Sequence, residues 1–432
     1  MCASDVDLVE WCWSQYYSTS LYDGRITITI VIKMTYGIDN TVNRYPSFED
    51  HLNPEHNPKR ILSLDGGGLR GFISIGILRD IERILRERHN NDPDFRLGHY
   101  FDLIAGTSTG AIISAGLSLG MTVDEIHGHY MDLGSFLFKR SLLRKGFFRA
   151  KYDAEAVREG LISVFGDRRL DSDDFLTSLL IVTKRLDTGS MWPLTNNPKS
   201  RYFSGGTNST TIPNGHYPLW QVVRASTAAP HFFDPEIIQI GKGESGLKSV
   251  AGDFVDGGVS PANNPALQAL MTSTMDGYCF NWSTGEDKLL VVSVGTGMAN
   301  VEVGRAGIFK SRAMIHAMLA LQGLMADCAD QVESVMQWLS ASHTARAIDR
   351  EMGMATPPLG GTPMISYQRY NVHFETDWWA EIFGEQVSGK ALKKLEAMDN
   401  AKNIPALDKV GQMAGRTLVK PEHFRSIFDL SL

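Results

Sequence analysis

From Arg60 onward the chain alternates between short unbroken apolar runs and longer stretches in which apolar residues recur every three or four positions. Ile61-Leu62-Ser63-Leu64 is a run of the first kind and ends on glycines. Residues 72–89 are of the second kind: Ile73, Ile77, Leu78, Ile81, Ile84 and Leu85 fall on one helical face, with charges between them. Residues 100–105 again read as a strand, followed by a turn at Ser108 and an apolar helix over 111–119. Strand-like runs return at 179–183 and 288–294, the latter leading into Gly295-Thr296-Gly297. Apolar strands without polar alternation, separated by helices, predict an α/β fold with a mostly parallel sheet covered on both faces.

The two ends differ from this middle. Residues 25–32 alternate and are β-branched, which predicts a strand, and Pro46, Pro54 and Pro58 then mark a loop. We therefore expect an N-terminal extension over 1–58 and a catalytic domain over 59–300. The remainder, 301–432, reads as mainly helical, its stretch 311–340 being rich in Ala, Leu, Met and Gln, and is expected to pack on that domain.

Composition narrows the class. The 432 residues are 43% hydrophobic and 21% charged, enough for a sizeable core, and the net charge of −7 argues against general nucleic-acid binding. Cys2, Cys12, Cys279 and Cys328 are scattered, which reads as free thiols in a reducing compartment. The first residues lack the basic-then-apolar order of a secretory signal, and no run of eighteen apolar residues occurs. The expectation is a cytoplasmic protein whose membrane contact is peripheral.

Two glycine-rich turns carry the chemistry. Gly106-Thr107-Ser108-Thr109-Gly110 has the G-x-S-x-G form of a nucleophile elbow, in which glycines on both sides let a serine sit on a sharp strand-to-helix turn. The same turn would also serve a Ser or Thr helix cap. The segment 65–71, DGGGLRG, offers a row of backbone N–H groups free of side chains, suited to a developing oxyanion, and Arg70 adds a positive charge. A phosphate loop is built the same way, although the spacing fits neither G-x-x-x-x-G-K-[ST] nor G-x-G-x-x-G. A serine nucleophile needs a base. None of His127, His129, His216, His231, His343 and His373 stands in a setting that marks it as one, and His127 and His129 form a metal pair by composition alone. Asp256, in the run Asp253-Phe254-Val255-Asp256-Gly257-Gly258, follows a short apolar strand and is the better candidate; a turn aspartate is the competing reading. To work near neutral pH its pKa would have to rise from about 4.

DGGGLRG, GTSTG and DGG in this order resemble the patatin-like phospholipases. So do the run Ala225-Ser226-Thr227-Ala228-Ala229-Pro230, the passage from Asp256 to Asn263-Asn264-Pro265, and Val292-Ser293-Val294-Gly295-Thr296-Gly297. The resemblance implies a three-layer α/β/α sandwich and a Ser–Asp dyad. Ser108 would be the nucleophile, Asp256 its base, Gly106 and Gly110 the elbow, and Gly66, Gly67, Gly68 and Arg70 the oxyanion hole. It further implies hydrolysis of fatty-acyl esters of phospholipids or lysophospholipids without calcium or any other cofactor. Some bacterial members are antiviral defence effectors switched on by cyclic nucleotides.

One further stretch stands out. Residues 134–152, GSFLFKRSLLRKGFFRAKY, hold six basic residues and no acidic one, interleaved with Phe and Leu. A surface helix packed on the core, a membrane-contact surface, and an anionic regulator site built from Arg140, Arg144, Lys145 and Arg149 all fit it. Two rival functions remain open on the sequence. One is an actin-like or sugar-kinase-like phosphotransferase gripping ATP phosphates through Gly66–Gly68 and Gly295–Gly297; the other is a non-enzymatic interaction protein.

Overall fold

A computed structural model describes residues 16–22, 25–31, 44–141, 154–205, 210–230, 232–241, 250–298, 313–348 and 351–431. The chain forms two compact units, Met1–Arg44 and Tyr45–Leu432. Within the first, β1 (Tyr16–Tyr22) and β2 (Arg25–Val31) pair antiparallel, with Tyr16 opposite Val31 and Tyr22 opposite Arg25. The expected strand is the second arm of this hairpin. The first arm shows no aliphatic stripe because its residues are Tyr, Ser and Thr with Leu21 the one aliphatic; Asp23-Gly24 between the two runs is the available hairpin signal.

The boundary near residue 58 moves to Tyr45. Ser47 and Asp50 exchange backbone-to-side-chain hydrogen bonds in a capping box that opens α1 (Phe48–Leu52). Leu52 is buried in the same cluster as Ile61 and Leu103, so this stretch belongs with the large unit.

A nine-stranded mixed sheet forms the centre of that unit. In chain order its strands are β3 (Lys59–Leu64), β4 (Leu103–Thr107), β5 (Ser178–Arg185), β6 (Met191–Thr195), β7 (Glu236–Gly241), β8 (Val250–Asp256), β9 (Leu289–Val294), β10 (Ser340–Ala341) and β11 (Ile365–Tyr370). Spatially they run β10-β11-β9-β3-β4-β5-β8-β7, with β6 on β5. The six from β10 to β5 are parallel; β6 and β8 are antiparallel to β5, and β7 to β8. The sheet is therefore mostly parallel with an antiparallel flank.

Successive side chains of β3 point to opposite faces, and each face is covered by helices. Leu62 and Leu64 pack with α2 (Gly71–Arg88) and with Leu407, Val410 and Ala414 of the C-terminal region. Ile61 packs with Ala266, Ala269 and Leu270, and with Val332 and Met336. This is the expected three-layer α/β/α arrangement. The C-terminal part, expected to be mainly helical, also supplies β10 and β11. β11 is buried at all six positions beside β9. Arg369 and Gln368 within it break the apolar signature that would have marked a strand.

Candidate active site

Ser108 stands between β4 and the helix α3 (Thr109–Ser118) with φ 54° and ψ −124°, a conformation a non-glycine residue rarely holds. Strain of this kind costs about 1–3 kcal/mol and persists only where surroundings over-determine it. They do so here. A Cβ on Gly106 would lie 2.2 Å from the Gly110 carbonyl oxygen, and one on Gly110 would lie 2.2 Å from that of Leu64, so the elbow is folded tightly on itself and on β3. The Ser108 N–H donates to Ser226 Oγ (2.9 Å), which donates in turn to the Val182 carbonyl on β5 (2.6 Å). Ser108 also sits at the N-terminus of α3, where the helix dipole favours negative charge.

Sheet register brings Asp256 to this point. Thr107 on β4 pairs with Val182 on β5, and the next β5 residue, Thr183, pairs with Asp256 on the antiparallel β8. The last residue of β8 thus ends one step from the elbow. Asp256 is buried, its Oδ1 accepts the Gly258 N–H at 2.7 Å, and its carboxylate interacts with the Ser108 hydroxyl. Burial pushes its pKa up to about 6, against the opposing pull of the hydrogen bonds from Ser108 and Gly258 and of the Arg224 charge.

The loop after β3 faces the same place. The Gly66 N–H donates to the Asn263 carbonyl (3.1 Å) and is not available to a ligand. The amides of Gly67 and Gly68 make no such bond among the described residues, and both residues line a cavity of about 380 Å³ together with Ser108, Asp256 and Asn263. The cavity is walled by apolar groups, among them Ile112, Leu133, Val157, Leu161, Phe232 and Met325. No histidine of the described residues lines it. A reacting carbonyl seated at Ser108 would have a carboxylate on one side, two backbone donors on another, and a greasy wall for the rest of the molecule.

A family model described as patatin-like phospholipase matches residues 62–270. Those residues, just under half of the chain, resemble a patatin-like phospholipase domain. The "cGAMP-activated phospholipase" of Escherichia coli (strain TW11681) is 32% identical over 241 residues, 55% of this chain and 62% of its own length. "Patatin-like protein 4" of Arabidopsis thaliana is 31% identical over 278 residues, 59% of this chain and 64% of that protein. The "cUMP-AMP-activated phospholipase" of Escherichia coli is 31% identical over 217 residues, 50% and 59% of the two chains. The chain thus spans about three fifths of the length of these relatives.

Within the patatin-like domain two expected members of the oxyanion hole take other positions. Gly66 is committed to Asn263, as described. Arg70 is buried but does not line the cavity; its guanidinium lies 6.0 Å from the centroid of the Phe374 ring. Arg144, Lys145 and Arg149 lie outside the described residues, as does His231, and so does the side chain of Arg140. His127 is bonded through Nε2 to Asp408 (3.0 Å), and no cluster of three metal-binding side chains occurs among the described residues. Nor is any helix among them long and apolar enough to cross a membrane.

The phosphotransferase alternative loses its second phosphate grip. Gly295 N–H donates to the Tyr370 carbonyl and Gly297 N–H to Asn371 Oδ1, so that loop's amides are turned into the fold. Sequence reasoning missed Ser226 as the anchor of the Ser108 amide and Arg369, whose two terminal nitrogens donate to the Asp65 carboxylate, as the partner that holds the head of the glycine loop. Ser226 lay inside a motif already quoted. A single arginine in a polar-looking strand gave no signal at all.

Proposed function

We propose that the protein is a lipid acyl hydrolase that cleaves fatty-acyl esters of phospholipids or lysophospholipids through a Ser108–Asp256 dyad. The observation that carries this reading is the strained Ser108, its hydroxyl on the buried Asp256 carboxylate, at the wall of an apolar cavity. In the first step Asp256 takes the Ser108 proton as Oγ attacks the ester carbonyl. The oxyanion is held by the amides of Gly67 and Gly68, each donor of this type being worth ~10²–10³ in rate. The proton passes to the departing alcohol or lysolipid, leaving an acyl-Ser108. Water, deprotonated by Asp256, then releases the fatty acid and restores the serine. Every proton is carried by the dyad, so the chemistry calls for no metal.

The apolar wall suits an acyl chain, and the reading we advance is work at a membrane surface. The two bacterial relatives are named for activation by cGAMP and cUMP-AMP, and we extend activation by a cyclic dinucleotide to this chain. A fluorophosphonate probe followed by mass spectrometry tests the dyad: labelling at Ser108, lost in Ser108→Ala, supports it. An unlabelled Ser108 in the presence of either nucleotide would remove it. Stimulation of fatty-acid release by either nucleotide tests the regulatory part.

A further inference from the structure

Thr296 lies beyond the residues that the family model matches, on the loop after β9, and is buried. Its hydroxyl donates to the Gly66 carbonyl at 2.8 Å. In a trans peptide the C=O and N–H of one unit point in opposite directions. The bond that holds the Gly66 carbonyl therefore aims the Gly67 N–H away from Thr296. The packing is equally close: a Cβ on Gly67 would sit 2.1 Å from Thr296 Oγ1 and 2.5 Å from its Cβ, so threonine and glycine are fitted face to face. The loop bearing Thr296 is itself fixed from three sides, by Ser74 Oγ on the Gly295 carbonyl (2.8 Å), by the Gly295 N–H on Tyr370 and by the Gly297 N–H on Asn371.

The neighbouring peptide is held differently. The Gly67 carbonyl accepts the Arg70 N–H at 3.2 Å inside the same short turn, and this orients Gly68 N–H locally. Among the described residues, Thr296, 230 positions from Gly66 in sequence, is what sets the tilt of the Gly67 N–H peptide from its carbonyl side. We propose that Thr296 is a positioning residue of the oxyanion site, acting through the Gly66 carbonyl to aim the Gly67 amide at the oxygen on which charge develops. This rests on the hydrolase reading above.

Such a residue matters most when the oxyanion forms and little when the ester is merely bound. Thr296→Val keeps the bulk against Gly67 and removes the hydroxyl. We expect kcat to fall by about ten- to a hundred-fold, less than the ~10²–10³ that a whole donor is worth, with KM within about two-fold of wild type. Thr296→Ser, which restores the hydroxyl, should recover most of the loss. Wild-type kcat in Thr296→Val overturns the proposal. So does a loss that tracks a fall in Tm and is not recovered by serine. A wild-type protein without Ser108-dependent turnover would count against the hydrolase reading instead. The Gly67 amide resonance in an ¹⁵N-labelled sample still decides this one, shifting or splitting in Thr296→Val and holding its place in Thr296→Ser.

Discussion

As the proposed base, Asp256 has two demands on it that pull in opposite directions. To accept a proton from a serine it should be a stronger base than an ordinary carboxylate, and its burial at the end of β8 supplies that. To be charged at all near neutral pH it needs partners, and Ser108, the Gly258 amide and the Arg224 charge provide them. The balance lies near 6, and the base works only when deprotonated. Hydrolysis should therefore rise with pH through about 6 and level off above it; a kcat/KM profile flat down to about pH 4.5, where an ordinary carboxylate begins to protonate, would contradict this. Asp256→Asn keeps the shape of the side chain and removes the base, so activity should be lost with the far-UV circular dichroism unchanged.

Single elements carry the next layer of constraint. The Asp65 carboxylate, at the head of the glycine loop, is gripped by both terminal nitrogens of Arg369 on β11 (2.8 and 2.6 Å), in a buried site that Arg369 shares with Glu333. Breaking a buried pair leaves an uncompensated charge and costs about 3–5 kcal/mol. Arg369→Met should lose that much in urea unfolding, and Asp65→Asn added to it should recover part of the loss. A helix contact makes a second test. In α2, a Cβ on Gly76 would lie 2.2 Å from the backbone of Gly411, within the helix Ile404–Leu418, and one on Gly411 would lie 2.5 Å from the Phe72 carbonyl. Helix propensity alone favours alanine over glycine by about 1 kcal/mol. The close crossing reverses the sign, so Gly411→Ala should destabilise the protein by about 1–3 kcal/mol in chemical denaturation.

At the scale of the molecule, what the sequence revealed and what it hid divide by distance along the chain. Ser108, Asp256 and the glycine loop were legible because each is a local turn at the end of an apolar strand. The antiparallel flank was not: β7 alternates exposed and buried positions, and β6 carries Pro193, so neither shows an apolar run. Yet the antiparallel course of β8 is what delivers Asp256 to Ser108. The links Gly66–Thr296 and Asp65–Arg369 depend on strand order, with β9 beside β3 and β11 on the far side of β9, and no local pattern encodes that order. Because Tyr45–Leu432 is a compact unit holding every residue of the site, the fragment 45–432 should retain the full chain's Ser108-dependent hydrolysis. A fragment that is folded by circular dichroism but inactive would contradict this. The central claim is that Ser108 and Asp256 together cleave an acyl ester. The most direct measurement is fatty-acid release from phospholipid liposomes by the purified protein, with and without cGAMP or cUMP-AMP, beside Ser108→Ala and Asp256→Asn. The account predicts release by wild type and none above background by either variant; release undiminished in Ser108→Ala would contradict it.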